Sequence, residues 1–159
     1  MKNLDELLEG AETVAIGGHI RPDGDCVGSC LATYNYIKTY YPKTEVDLYL
    51  EPIPNIFKFM KCSQEIISDC SADKSYDLFI AQDCGDEGRL GETVKYFHHA
   101  KRTACIDHHI SNRSFAMENY IFPEAGSTSE LVFELIPAER LTKEIGECIY
   151  TGIIHDTGF

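Results

Sequence analysis

The chain predicts an α/β fold: an open, mostly parallel sheet flanked by helices. Three observations carry that expectation. Short apolar runs alternate with longer stretches of helical periodicity, the pattern of βαβ units. The apolar runs are nearly unbroken, which suits strands covered on both faces. Asp and His cluster immediately behind three of the runs, where open parallel sheets present their ligand crevice.

Taken in order, Thr13-Val14-Ala15-Ile16-Gly17 reads as a buried first strand. A helix over 26–41 follows, with Val27, Leu31, Tyr34 and Ile37 on one face, and Pro42 stops it. The second strand is Val46 to Leu50. Residues 51–62 carry Pro52 and Pro54 and predict a loop with a short helix. Asp77 to Gln82 is the third strand, 89–100 a loop and helix, and Arg102 to Ile106 the fourth strand. Tyr120-Ile121-Phe122 is a short fifth strand, and 127–136 and 141–154 are helices. No repeat, low-complexity tract or linker divides the chain.

At 159 residues the length fits one domain, able to bury about 70% of its unfolded surface. Hydrophobic residues make up 43% and charged residues 25%, as in ordinary globular proteins. No run approaches the ~20 apolar residues of a membrane span. Met1 to Glu6 has no apolar signal core, so a cytoplasmic location is expected. The formal charge of −12 argues against sequence-independent duplex binding, which needs clustered Lys and Arg. The seven cysteines are odd in number and form no C-x-x-C pair, so neither a zinc ribbon nor a disulfide framework is indicated. Buried, reduced thiols are expected. Cys26, Cys84 and Cys105 lie near the acidic clusters and keep a thiolate zinc site as an alternative.

Four clusters carry the chemistry. His19, Asp23 and Asp25 form H-x-x-x-D-x-D at a strand-to-helix turn. There Pro22 favours an extended Arg21, and Gly24 lets the chain bend between the two carboxylates. Gly28 and Ser29 leave room for a phosphate or for the sheet. Asp25 can instead be a plain helix cap. Asp83 ends the third strand, where an ordinary Asp-Cys-Gly-Asp turn is the rival reading, and Asp86 and Glu87 read as solvated. Asp107-His108-His109 follows the fourth strand. One imidazole there can ligate metal while the other meets a phosphate or leaving group. Asp107 would fix a histidine tautomer. His98-His99 reads as a bland exposed pair. Asp156, before Thr157-Gly158, is a ligand or a capping turn, and His155 is incidental. Ser127 with Glu130 has capping-box spacing, or the hydroxyls of Ser127 and Thr128 face a substrate phosphate. Asp and His are ligands for hard-to-borderline divalent cations, and four clusters at similar positions point to one composite metal site.

These motifs, in this order, resemble the DHH phosphoesterase family. The likeness rests on Pro-Asp-Gly-Asp at 22–25, Asp-His-His-Ile-Ser-Asn at 107–112, Gly-Ser-Thr-Ser-Glu at 126–130 and Thr-Gly-Ile-Ile-His-Asp-Thr-Gly at 151–158. Within the family it is similar to the NrnA-type branch, bifunctional oligoribonucleases and 3′-phosphoadenosine 5′-phosphate phosphatases. The resemblance implies a sheet of order 2-1-3-4-5 and two manganese ions, with magnesium, iron or cobalt left open by composition. It implies that His19 and Asp23 hold one ion, Asp25, His108 and Asp156 the other, and that Asp83 bridges them. His109 would touch the scissile phosphate or protonate the leaving oxygen. Ser127, Thr128 and Arg113 would help hold the substrate, a short single-stranded RNA or a nucleoside bisphosphate. Cyclic dinucleotides, pyrophosphate and polyphosphate are rival substrates, and a non-catalytic metal- or nucleotide-binding fragment is the rival class. Such proteins carry a second, C-terminal lobe with a Gly-Gly-Gly-His motif and basic residues. Residues 1–159 therefore read as a truncated catalytic lobe without that lobe, expected to bind substrate weakly and to self-associate, for example as a homodimer.

Overall fold

The computed structural model describes residues 1–156 of the chain; Thr157 and Gly158 of the last motif lie outside the described residues. The elements run α1 (Leu4–Leu8), β1 (Thr13–Gly17), α2 (Gly24–Tyr40), β2 (Glu45–Tyr49), β3 (Leu78–Gln82), α3 (Val94–His99), β4 (Arg102–Asp107), β5 (Glu118–Ile121), α4 (Thr128–Leu135) and α5 (Lys143–Asp156). The five strands form one sheet in the order β2-β1-β3-β4-β5, and every pairing is parallel. No helix among the described residues is long and apolar enough to cross a membrane.

Alternation along the strands splits the core between the two faces of the sheet. Ile16, Leu78, Ile80, Ala104 and Ile106 pack with side chains of α1, α2, α4 and α5. Ala15, Phe79, Ala81 and Cys105 pack with Tyr96 and Phe97 of α3 and with Tyr49 and Tyr76. Strand β3 is central and buried at all five residues, which is why it is apolar from Leu78 to Ala81, with only Gln82 polar at its carboxyl end.

Helix α2 is enclosed almost all round, from Gly24 to Ile37. Small side chains make that enclosure fit. A Cβ on Gly28 would lie 2.5 Å from the Cys148 carbonyl oxygen and 3.0 Å from the Gly152 nitrogen. Gly28 therefore makes room for the backbone of α5, not for a phosphate or the sheet. Gly24 is likewise a matter of packing: it is the first residue of α2, and a Cβ there would meet the His155 ring. His155 itself stacks edge-on against Phe57, with centroids 5.0 Å apart.

Several local expectations are corrected. Helix α1 has no counterpart in the periodicity reading, because five residues are too few to show a period. Asn3 caps it, accepting from the Glu6 amide at 2.8 Å, and Leu4, Leu7 and Leu8 anchor it. Residues 51–62 hold one 3-10 turn, Asn55–Phe57, and a second follows at Ser63–Glu65. Arg21 is not extended; its φ is 51°. Its amide donates to Glu51 at 2.6 Å and the Ile20 amide donates to the Arg89 carbonyl at 2.8 Å, so tertiary hydrogen bonds override the proline preference.

Candidate metal centre

Every residue of the centre sits at the carboxyl end of a strand or on a helix end that meets it. His19 follows β1, and Asp23 caps α2 by accepting from the Cys26 amide at 3.0 Å. Asp25, the alternative cap, instead sits fully buried in the first turn. Asp83 follows β3 directly and stays stitched to β4, its amide donating to the Ile106 carbonyl at 3.0 Å. Its φ is 55°, a left-handed conformation that Asp tolerates better than most residues and that tends to occur at functional sites. His108 follows β4, and Asp156 lies within α5 as the last described residue rather than beyond the helix.

The structure brings all six together. His19 Nε2 lies 3.5 Å from both Asp23 Oδ1 and Asp83 Oδ2. His108 Nε2 lies 2.9 Å from Asp156 Oδ2, 3.5 Å from Asp83 Oδ1 and 3.6 Å from Asp25 Oδ2. Asp83 thus offers one oxygen to each histidine, between two donor groups. Neighbouring donors on an octahedral shell with ~2.1 Å bonds lie ~3 Å apart. The observed separations of 2.9–3.6 Å are close to that spacing.

The electrostatics point the same way. Four carboxylates converge, and among the described residues no Lys or Arg forms an ion pair with any of them. Burial and the nearby Asp83 charge push Asp25 up to about 8, against the hydrogen bonds it accepts. Burial and then Asp83 raise Asp156 as well. Burial also opposes charge on Asp83, but His108 and His19 outweigh it and hold this carboxyl well below the usual range. Burial disfavours a charged His19, yet Asp23 and Asp83 raise it to about 11. The hydrogen bond to Asp83 leads in raising His108 to about 9. Protons alone balance this set poorly, and hard divalent cations suit it.

Among the cysteines near the acidic clusters, Cys26 stands closest to the centre. Cys26 Sγ stands within reach of His19 and Asp83, but complete burial pushes the thiol far up. Burial raises Cys84 and Cys105 in the same way. All seven cysteines are free.

Ser127 and Thr128 turn out differently from the expected substrate contacts. Ser127 is fully buried and its Oγ accepts from the Glu130 amide at 3.1 Å, while Glu130 accepts from the Gly126 amide at 2.7 Å. Both side chains serve the start of α4. Thr128 is also fully buried, and its hydroxyl donates to Asp83 Oδ1 at 3.1 Å. The amides of Thr128 and Ser129 donate to the two Asp25 oxygens, each at 2.9 Å. The helix end therefore grips the carboxylates instead of a ligand.

His109 lies against His108, ring centroids 4.9 Å apart and within ligand reach of Asp83, but it is held by a different partner. Its Nδ1 meets Asp107 Oδ1 at 2.6 Å, and Asp107 Oδ2 accepts from Asn112 Nδ2 at 2.8 Å. Asp107 is fully buried, so the ring of His109 is held with Nε2 left over. Asp107 also raises the His109 imidazole. A cleft of about 340 Å³ opens over His19, Asp23, Asp83 and His109, with Arg89 and Ser111 completing its walls. Arg113 is exposed and is not among the residues lining it. His98 and His99 lie on α3, paired with Glu87 and with the Lys95 carbonyl, each at 2.7 Å. Asn112, Ser111 and Arg89 are the residues to which the sequence reading gave no role; Ser111 and Asn112 lie inside the Asp-His-His-Ile-Ser-Asn motif as polar side chains without one, and Arg89 lies in no motif.

A parallel α/β sheet with a histidine–carboxylate centre at its carboxyl edge defines the class. The chain belongs to the DHH family: the model of the DHH family N-terminal domain matches residues 13–153. It is 27% identical to the bifunctional oligoribonuclease and PAP phosphatase NrnA of Thermus thermophilus over 99% of this chain and 48% of that protein. The NrnA of Bacillus subtilis is also 27% identical, over 92% of this chain and 47% of its own length. The cyclic-di-AMP phosphodiesterase PdeA of Listeria monocytogenes is 25% identical over 97% of this chain and 26% of that protein. The crystal structure of an exopolyphosphatase-related protein from Bacteroides fragilis superposes with a TM-score of 0.85 at 28% identity, covering 98% of this chain and 49% of the other. The chain thus spans about half the length of the NrnA relatives it matches.

Proposed function

We propose that this chain is the metal-holding catalytic domain of a phosphoesterase acting on short oligoribonucleotides and on a nucleoside 3′,5′-bisphosphate. The observation that carries this reading is Asp83, with one oxygen toward His19 and the other toward His108. His19 and Asp23 would hold one divalent ion, Asp25, His108 and Asp156 the other, and Asp83 would serve both; manganese suits this donor set. When bound, such a pair supplies a nucleophile at neutral pH and neutralises charge on the phosphate.

The protein's own groups do the rest. Thr128 and the two amides at the start of α4 fix the carboxylates of Asp83 and Asp25. Asp107, itself held by Asn112, orients His109 and favours its protonated form. His109 is then placed to donate a proton from Nε2 to the leaving oxygen. The substrate choice follows the NrnA relatives, which cover nearly the whole chain. The PdeA relative supports a second reading, hydrolysis of a cyclic dinucleotide.

The test is a panel with Mn²⁺: adenosine 3′,5′-bisphosphate, a di- to pentaribonucleotide, cyclic di-AMP and pyrophosphate. Turnover of the first two, abolished by Asp83→Ala, is the expected result. Turnover of cyclic di-AMP alone would select the second reading, and turnover of none would overturn both.

A further inference from the structure

Of the arginines along this chain, Arg89 has the most telling surroundings. It stands on a cleft whose other charged walls include Asp23, Asp83 and Asp86. Yet among the described residues its guanidinium has no ion pair or hydrogen-bond partner. Arg102 and Arg140 are tied down: Arg102 donates to the Leu7 carbonyl at 3.0 Å, and Arg140 pairs with Asp5 at 3.4 Å; among the described residues the side chains of Arg21 and Arg113 make no ion pair either, but neither lines this cleft. The neighbouring acid does not capture Arg89 either, because Asp86 Oδ1 accepts from the Arg89 main-chain amide at 3.1 Å.

The backbone that carries Arg89 is fixed on both sides. Its amide is held by Asp86, and its carbonyl accepts from the Ile20 amide at 2.8 Å, one residue beyond His19. The Cα of Arg89 is therefore locked to the loop that carries a residue of the metal centre. Ser111 adds a second uncommitted donor to the same walls. Both Ser111 Oγ and the His109 ring come within 3.7–3.8 Å of where a Gly85 side chain would begin, so both border the same part of the cleft. A planar fork of N–H donors with a hydroxyl nearby is a phosphate-binding set. The cleft volume of about 340 Å³ suits a ligand of nucleotide size.

We propose that Arg89 and Ser111 form a second phosphate subsite. It holds the non-scissile phosphate of a substrate that carries two phosphates on one nucleoside, while the scissile phosphate lies at the histidine–carboxylate centre. The subsite rests on the phosphoesterase reading and deepens it: it makes the enzyme select bisphosphorylated nucleosides over monophosphorylated ones. It also explains how an acidic chain recruits an anion into an acidic cleft, since a guanidinium free of internal partners loses none in binding.

The experiment compares hydrolysis of adenosine 3′,5′-bisphosphate with that of adenosine 3′-monophosphate, both with Mn²⁺. The ratio of their kcat/KM values should fall ~10–100-fold in Arg89→Ala, the range for losing a charge-assisted hydrogen bond, and mainly through the KM of the bisphosphate. Arg89→Lys, which keeps the charge without the fork, should fall between, and Ser111→Ala should lower the ratio less. An equal loss on both substrates, or no change in the ratio, would overturn the proposal. A binding arm reads the same subsite without turnover: calorimetric titration of the Mn²⁺-loaded protein with adenosine 5′-monophosphate. Arg89→Ala should weaken that binding about tenfold or more, and an unchanged affinity would overturn the subsite. Lack of hydrolysis of either substrate by the unaltered protein would count against the phosphoesterase reading alone, and the titration would still decide the subsite.

Discussion

Helix α2 carries a cluster of polar groups at each end, and the two clusters obey opposite rules. At its carboxyl end Tyr36 and Tyr41 donate to Asp5 Oδ1 at 2.6 and 2.5 Å, and Arg140 adds its charge at 3.4 Å. Burial pushes the Asp5 carboxyl up, but these three partners outweigh it and leave it below its ordinary value. At the amino end Asp25 is more deeply buried, accepts the amides of Thr128 and Ser129 and faces the Asp83 charge, and it rises to about 8. One carboxylate is held charged by its partners; the other is pushed toward its protonated form despite the amides it accepts. That difference separates a structural cluster from a site, and it can be broken from either side.

The largest effect is expected at the residue shared by both histidines. Asp83→Ala should abolish turnover and lower the number of bound Mn²⁺ ions while leaving the circular dichroism of the fold intact. Calorimetric stoichiometry checks this, and a full complement of metal would refute the sharing. Next come the paired histidines. His109→Ala should keep its metal and lose ~10²–10⁴-fold in turnover, as for a general acid. His108→Ala should lose metal first, and equal metal loss in both variants would erase the division between them.

Thr128 sharpens the comparison from the supporting side. Its hydroxyl reaches Asp83 and its amide reaches Asp25. Thr128→Val keeps the amide and removes the hydroxyl, and should cost ~10–100-fold in metal affinity or activity. If Thr128 instead held substrate, KM would rise with metal affinity unchanged.

The smallest effect belongs to the satisfied end. Asp5→Asn should leave turnover alone and destabilise the fold by about 1–2 kcal/mol at neutral pH. The folded-state carboxyl lies below its unfolded value, so this contribution is full above pH ~4 and fades as pH falls through the lowered value. Melting temperatures of the two proteins should therefore converge in acid. A gap that instead widened in acid would reverse the sign of the Asp5 shift.

What the sequence revealed, and what it hid, divides along a physical line. The five strands and the sheet class were legible because β1, β3 and β4 are covered on both faces and so are written as apolar runs. The convergence of His19, Asp25, Asp83 and His108 was legible because each stands just after a strand or in the helix turn that follows it. Asp156 was harder to place: it comes from the last described turn of α5, brought in by the close approach of that helix to α2 at Gly28 and Gly152. For Ser127 the capping reading held over the substrate one, and Thr128 turned to Asp83, because a hydroxyl at a helix start can face inward or outward and only tertiary packing decides. The left-handed turns at Arg21 and Asp83 left no glycine or asparagine signature. Arg89 was invisible because its meaning is its place on the cleft beside His19 and Asp83, a property of three dimensions only.

The central claim is that Asp83 sits between two cations. Anomalous diffraction from a crystal of the protein grown with Mn²⁺ tests it most directly. Two manganese peaks should flank the Asp83 carboxylate at the ~3.5–4 Å separation of two-metal phosphoesterase sites, one beside His19 and Asp23, the other beside Asp25, His108 and Asp156. A single peak, or two peaks that do not share Asp83, would contradict it.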